Sequence, residues 1–137
     1  AYWELIEPLT QRLTLPIIAN GEIWTLEQAL RCRTKAATPH LMLGRGAVTR
    51  PDLVGQIKAS DNGQASASMA WQDLLPLQMA FLQGNAKTDN MLVSRYKQWL
   101  GMLTQGYSEA QTLWQTAKRV QSLEDMVALL SAQQPCH

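Results

Sequence analysis

The chain has little of what usually announces a chemistry. Its 137 residues hold two cysteines, two histidines and one phenylalanine. Cys32 and Cys136 stand far apart, in no CxxC or Cys/His spacing, which leaves neither a disulfide framework nor a zinc motif. His40 and His137 likewise have no partner at metal-ligand spacing. We expect no metal and a reducing, cytoplasmic compartment. No apolar run approaches the roughly 20 residues of a membrane span, and no signal peptide opens the chain, so no membrane is expected. Charge of one sign is also missing: 12 Lys and Arg face 11 Asp and Glu, a net charge of +1. The total therefore gives no sign of a nucleic-acid binder, and only the distribution of charge could.

What is present divides into two halves. Residues 1–58 read as α/β. "AYWELIEPLTQRL" spaces Trp3, Ile6, Leu9 and Leu13 as a helix that Pro8 distorts unless it lies in a first turn. "PIIAN" and "HLMLGRG" are short continuous apolar runs, the pattern of buried parallel strands. Between them Thr25-x-x-Gln28 is a capping box for a helix through about Lys35, with Leu26, Ala29 and Leu30 inward. Two parallel strands cannot cover their own faces, and the chain opens inside an element. A missing upstream segment of the same protein is expected.

Residues 59–70, "ASDNGQASASMA", offer almost nothing to bury and read as a linker. Residues 71–137 read as all-α, four helices with short connections forming a bundle. Pro76 suits a first turn beginning near Asp73. Leu92, Tyr96, Trp99, Leu100 and Leu103 make one stripe, Ser108-x-x-Gln111 caps the next helix, and Ser122-x-x-Asp125 caps the last. Trp99 and Trp114 fall on inward stripes and read as core, while Trp71 would staple the linker to the bundle.

Each strand ends in a turn that could hold an anion, Asn20-Gly21-Glu22 after the first and Gly44-Arg45-Gly46-Ala47 after the second. Glycine allows close backbone approach, exposed N–H groups form a positive concavity, and Arg45 can fork onto phosphate oxygens. The competing reading of either motif alone is a plain tight turn. In a (β/α)8 barrel the loops after strands 7 and 8 form the usual phosphate site, and the spacing fits that pair. Glu22 would repel a phosphate, so its expected work is to accept hydrogen bonds from a ligand hydroxyl or from neighbouring backbone.

"PIIANGEIW" followed by "LMLGRGAVTRPDL" resembles the end of the barrel in bacterial tRNA-dihydrouridine synthases, and "SRYKQWLGML" resembles their DusC subfamily. The resemblance covers nearly the whole chain. It implies the last two β/α units of a (β/α)8 TIM barrel followed by a helical tRNA-binding domain, in an FMN-dependent oxidoreductase that consumes NADPH and reduces a uridine, at D-loop position 16, to dihydrouridine. It further implies a monomeric parent. By that similarity Asn20, Gly21 and Glu22 match the first FMN-binding turn, and Gly44 and Arg45 the second. Glu22 stands where many relatives have aspartate. The family's catalytic cysteine and flavin-facing lysine belong to an earlier part of the barrel. Neither Cys32 nor Cys136 matches that motif, so no catalytic residue is expected here and the chain alone should be inactive.

The helical half has a modest local excess of positive charge between residues 86 and 120, from Lys87, Arg95, Lys97, Lys118 and Arg119 against Asp89 and Glu109. Of these, Arg95, Lys97, Lys118 and Arg119 are the candidate tRNA contacts. Each has a competing reading: Arg95 as an interhelical packing arginine, Lys97 as a solvated lysine facing away from the apolar stripe, and Lys118-Arg119 as partners of a helix C-terminal dipole. Two other functions stand beside the first. One is another FMN- or phosphate-binding TIM-barrel oxidoreductase with an unrelated helical appendage; the other is a non-enzymatic helical interaction module.

Overall fold

Proline divides the first apolar segment in two. In the computed structural model, which describes residues 1–84 and 88–133, a 3-10 turn over Trp3–Leu5 precedes helix α1, Glu7–Arg12. Pro8 occupies the first turn of α1, where a missing N–H breaks no helical bond. Of the expected stripe only Trp3 is fully buried, while Leu9 and Leu13 are about half exposed. The Trp3 indole donates to the Gly21 carbonyl at 2.8 Å, and the Thr10 hydroxyl donates to the Ala36 carbonyl at 2.9 Å. These bonds fasten the entry segment to backbone 18 and 26 residues further along the chain.

Strand β1, Ile18–Asn20, leads through a turn to helix α2, Leu26–Ala36, and on to strand β2, His40–Met42. The strands pair in parallel, with Ile18 beside His40, Ala19 beside Leu41 and Asn20 beside Met42. The Thr25 hydroxyl caps α2 by accepting from Gln28 N–H at 3.2 Å, but the Gln28 side chain reaches back to Trp24 N–H at 2.8 Å, one residue beyond the usual capping-box partner. Ala29, Cys32 and Ala36 form the buried face of α2, and Leu30 points outward. On a helical wheel those three lie within about 60° of one another, whereas Leu30 is about 100° from Ala29. Small residues therefore face the sheet, and Cys32 belongs to that packing.

The strands are covered on one side only among the described residues. Ala19 is fully buried and Leu41 packs against the same core, with Trp3, Ile23, Leu53 and Ile57, while Ile18 and Met42 on the opposite face are more than half exposed. The expectation of strands buried on both faces is not met, because the helices present lie on one face.

Helix α3, Arg45–Thr49, and helix α4, Leu53–Asp61, complete this unit, which extends to Ser68. The expected linker begins too early. Residues 59–61 belong to α4, and the Asn-Gly that reads as linker is its stop: Gly63 adopts φ +66, its N–H bonds the Ser60 carbonyl, and Gln64 N–H bonds that of Ala59. Arg33 of α2 grips Asp61 through both Nη atoms while its Nε donates to the Pro39 carbonyl at 2.9 Å. One guanidinium thus joins α2, α4 and the approach to β2.

A second unit runs from Met69 onward. Its described residues form helices α5, Trp71–Leu82; α6, Asp89–Leu103; α7, Ser108–Ala117; and α8, Leu123–Ser131. Helix α6 packs against the other three, and α5 against α8. Helix α5 starts two residues earlier than Pro76 suggests, so the proline is interior. Burial of Trp71, Leu74 and Leu75, together with the Asp73 carboxylate accepting from Ala70 N–H at 3.2 Å, holds the start against the lost bond. Ser122 caps α8 as expected, accepting from Asp125 N–H at 3.1 Å. Ser108 does not cap α7: it is the first helical residue, its hydroxyl bonds Glu109, and Gln111 instead ties the helix to the Thr104 carbonyl at 3.0 Å.

A buried polar pair, Tyr96 with Gln78, lies inside this apolar core. The fully buried Tyr96 hydroxyl donates to Gln78 Oε1 at 2.8 Å, and burial pushes the phenol pKa far above its ordinary value. Gln78 Nε2 has no partner among the described residues. Trp99 and Phe81 rings flank Tyr96, with centroids 6.4 and 6.3 Å away.

Tyr96→Phe strands the Gln78 oxygen and should destabilise the helical unit by about 1–2 kcal/mol in urea unfolding, and adding Gln78→Leu should recover most of that loss. Asp61→Asn should destabilise the α/β unit at neutral pH but not in acid. Arg33 lowers the Asp61 pKa mainly by hydrogen bonding. Its contribution is therefore complete above the unfolded-state value and disappears as the pH falls through the folded one.

Candidate functional site

The turn after β1 is shaped by two left-handed residues. Gly21 has φ +108 and Glu22 φ +53, so the chain reverses within two residues and enters α2 through Ile23, Trp24 and the Thr25 cap. Gly21 N–H bonds the Asn20 side-chain oxygen at 2.7 Å, and Asn20 Nδ2 lies 3.7 Å from the sulfur of Met42 across the strand pair. The turn after β2 is shaped by a close approach. A Cβ on Gly46 would stand 1.9 Å from the Ile23 carbonyl oxygen, so only glycine lets α3 begin against the first turn. Gly44 is different, since its Cβ would project into open space.

Together the two turns enclose a cleft of about 260 Å³ lined by Asn20, Gly21, Glu22, Ile23, Trp24, Met42, Gly44, Arg45 and Gly46. The five residues singled out as a phosphate site, Asn20, Gly21, Glu22, Gly44 and Arg45, all contribute. Gly46, named as part of the second turn but not as a binding residue, joins them, as do Ile23, Trp24 and Met42, which were not singled out. The only signals are a tryptophan two positions after the carboxylate and a glycine whose spatial neighbour no local pattern reveals.

Glu22 accepts from side chains rather than from backbone. Its Oε2 takes the Trp24 indole N–H at 2.8 Å and its Oε1 takes Arg45 Nη2 at 3.1 Å, while the guanidinium carbon lies 5.3 Å from the centre of the Trp24 ring. The carboxylate is thereby neutralised, and the other N–H donors of Arg45 remain for an anion. Side-chain exposures of 67% for Arg45 and 51% for Glu22 keep both accessible from solvent. Arginine and asparagine side chains around a charge-paired carboxylate suit an anionic group that also carries hydroxyls.

In the helical unit the four candidate cations do not form one set. Arg95 and Lys97, two residues apart on α6, point to different sides. Arg95 is exposed. Lys97 is not a plain solvated lysine: it is half-buried, and its ammonium donates to the Lys118 carbonyl at 3.2 Å. The last carbonyls of a helix lack partners and carry its negative pole, which explains the placement. Lys118 follows directly on α7, with Nζ on Gln115 Oε1 at 2.8 Å, and Arg119 continues the turn through its N–H to Thr116. Lys118 and Arg119 are both exposed. Trp71 is buried against Tyr107, with ring centroids 5.6 Å apart, and Trp99 and Trp114 pack against the core, so none of the three is an open stacking platform. Lys87, Cys136 and His137 lie outside the described residues.

Gly46→Ala forces the turns apart and should destabilise the α/β unit by about 1–3 kcal/mol in chemical denaturation, the range of an overpacked site.

Comparison with known proteins identifies the family of the chain. A family model described as dihydrouridine synthase matches residues 1–134. The chain is 37% identical over 132 residues to the tRNA-dihydrouridine(16) synthase of Pseudomonas syringae pv. tomato, an alignment that covers 95% of this chain and 42% of that protein. It is 43% identical over 121 residues to the protein of that name from Pseudomonas putida, covering 87% and 38%, and 34% identical over 136 residues to that of Shewanella oneidensis, covering 98% and 42%. The chain spans about two fifths of the length of these curated relatives. It belongs to the dihydrouridine synthase family.

Proposed function

We propose that this chain is the C-terminal part of an FMN-dependent tRNA-dihydrouridine synthase, one that reduces the uridine at position 16 of tRNA with NADPH as the source of electrons. The observation that carries the reading is the convergence of two glycine turns, 23 residues apart in sequence, on one cleft that offers Arg45 to an anion. The uncovered Ile18 and Met42 support the barrel part of it, because apolar side chains on a bare strand face are suited to burial by further strands.

The residues present fit the phosphate end of the flavin. Gly44 leaves open space where a side chain would intrude, Arg45 supplies charge and directional donors, and Asn20 and Glu22 supply a donor and an acceptor for the polyol. At about 260 Å³ the cleft is below the usual range of roughly 300–1,000 Å³ for a whole ligand site, so the isoalloxazine ring would rest on residues beyond this chain. When bound, FMN supplies the hydride that reduces the base. This chain's residues bind and orient it. Cys32 takes no part in proton transfer, since it is fully buried and desolvation raises its thiol pKa.

The helical unit contacts tRNA through exposed cations, with Lys118 and Arg119 nearest to a phosphate-binding pair and Arg95 as a separate point of contact. Lys97 contributes by fixing the end of α7 that presents them. These groups neutralise backbone phosphates and read no bases, so binding is salt-dependent.

The test uses the complete polypeptide that carries this chain. Arg45→Ala should weaken FMN binding about 10- to 100-fold, the scale of a lost charged hydrogen bond. Lys118→Ala with Arg119→Ala should leave flavin content unchanged, lower dihydrouridine formation in tRNA and reduce the salt slope of tRNA binding by about 1 to 2. Full dihydrouridine formation by the double variant would overturn the tRNA assignment, and unaltered FMN affinity in Arg45→Ala would overturn that of the cleft.

A further inference from the structure

Arg45 and Glu22 are both largely exposed, and a lone exposed ion pair holds its geometry weakly. Here a third side chain touches both. Trp24 donates its indole N–H to Glu22 Oε2 at 2.8 Å and lies beneath the Arg45 guanidinium at 5.3 Å, so that each member of the triangle contacts the other two. The indole is itself anchored. Its backbone N–H is held by Gln28 of α2 at 2.8 Å, the preceding Ile23 is buried, and the following Thr25 caps the helix. The Glu22 backbone adopts the left-handed region, uncommon for a residue with a side chain, and that conformation is part of the turn from which the carboxylate reaches both partners.

We infer that Trp24 is a positioning residue for anion recognition: it fixes the Arg45 guanidinium over the cleft through its ring face and through the Glu22 carboxylate. The inference rests on the proposal that the cleft takes the phosphate of FMN, and it assigns to Trp24 a share in discriminating phosphorylated from unphosphorylated flavin. Cation–π attraction holds the guanidinium over the indole face, and its hydrogen bond to the carboxylate limits its movement across that face. A guanidinium held in both respects loses less freedom when an anion arrives. Trp24 itself makes no claim on the anion, because its one N–H is committed to Glu22.

The experiment measures binding of FMN and of riboflavin, separately, to the complete polypeptide stripped of flavin. Trp24→Leu should weaken FMN about tenfold and leave riboflavin unchanged, whereas Trp24→Phe, which keeps a ring face but loses the N–H, should weaken FMN about threefold. Arg45→Ala serves as the reference and should abolish the preference for FMN. If both Trp24 variants retain the full preference while Arg45→Ala loses it, the cleft reading stands and the role of Trp24 is wrong. Equal weakening of FMN and riboflavin by Trp24→Leu, with Trp24→Phe like the parent, would mean structural packing and would also overturn the inference. Retention of the preference by Arg45→Ala would remove the premise, a result distinct from the other two.

Discussion

The contact on which the α/β unit depends is one that a side chain would forbid. Residue 46 approaches the Ile23 carbonyl so closely that a Cβ would overlap it, and this approach is what sets the second turn against the first. The geometry of the cleft depends on it. Arg45, the residue before it, is carried to within hydrogen-bonding reach of Glu22, and Gly44, one step earlier still, faces open space. The Gly-Arg-Gly motif therefore divides by physics: the first glycine faces open space, the arginine reaches Glu22 across the cleft, and the second glycine permits the close approach.

Around this contact the chain uses single side chains as fasteners between elements. Trp3 ties the entry segment to the first turn, Thr10 ties α1 to the end of α2, and the buried Thr38 hydroxyl donates to the Ile17 carbonyl at 2.6 Å just before β1. Arg33 does the same on the other side, between α2 and α4. A sheet of two strands has little ladder of its own, so these polar ties carry much of the positional order that further strands would supply in a larger sheet. The helical unit works differently. Its order comes from an apolar core with aromatic rings in contact, and the buried polar pair of Gln78 with Tyr96 adds direction more than stability.

Much of this is legible from residue order alone. The two strands, the helix between them and the four later helices follow from run length, periodicity and caps, and the two turns that meet at the cleft follow from glycine at strand ends. The differences have identifiable causes. The linker reads as starting too early because Asn62-Gly63 has the composition of a loop and the geometry of a helix stop. Leu30 reads as inward because a leucine in a helical pattern suggests core, while the sheet surface accepts only the smaller Ala29, Cys32 and Ala36. Ser108 reads as a cap because its spacing to Gln111 fits, but Tyr107 occupies the cap position and is held by burial against Trp71.

What the sequence determined by itself was local: which segments coil, which extend, where glycine must turn the chain, and which family the motifs belong to. These depend on neighbours within a few residues, where periodicity and capping chemistry act. Only the tertiary structure decided which groups meet. That Glu22 takes Arg45 as a partner, and that Lys97 ends on the carbonyl of Lys118, depends on distances between segments about 20 residues apart. Such pairings are set by packing and close approach in three dimensions, which no local pattern records.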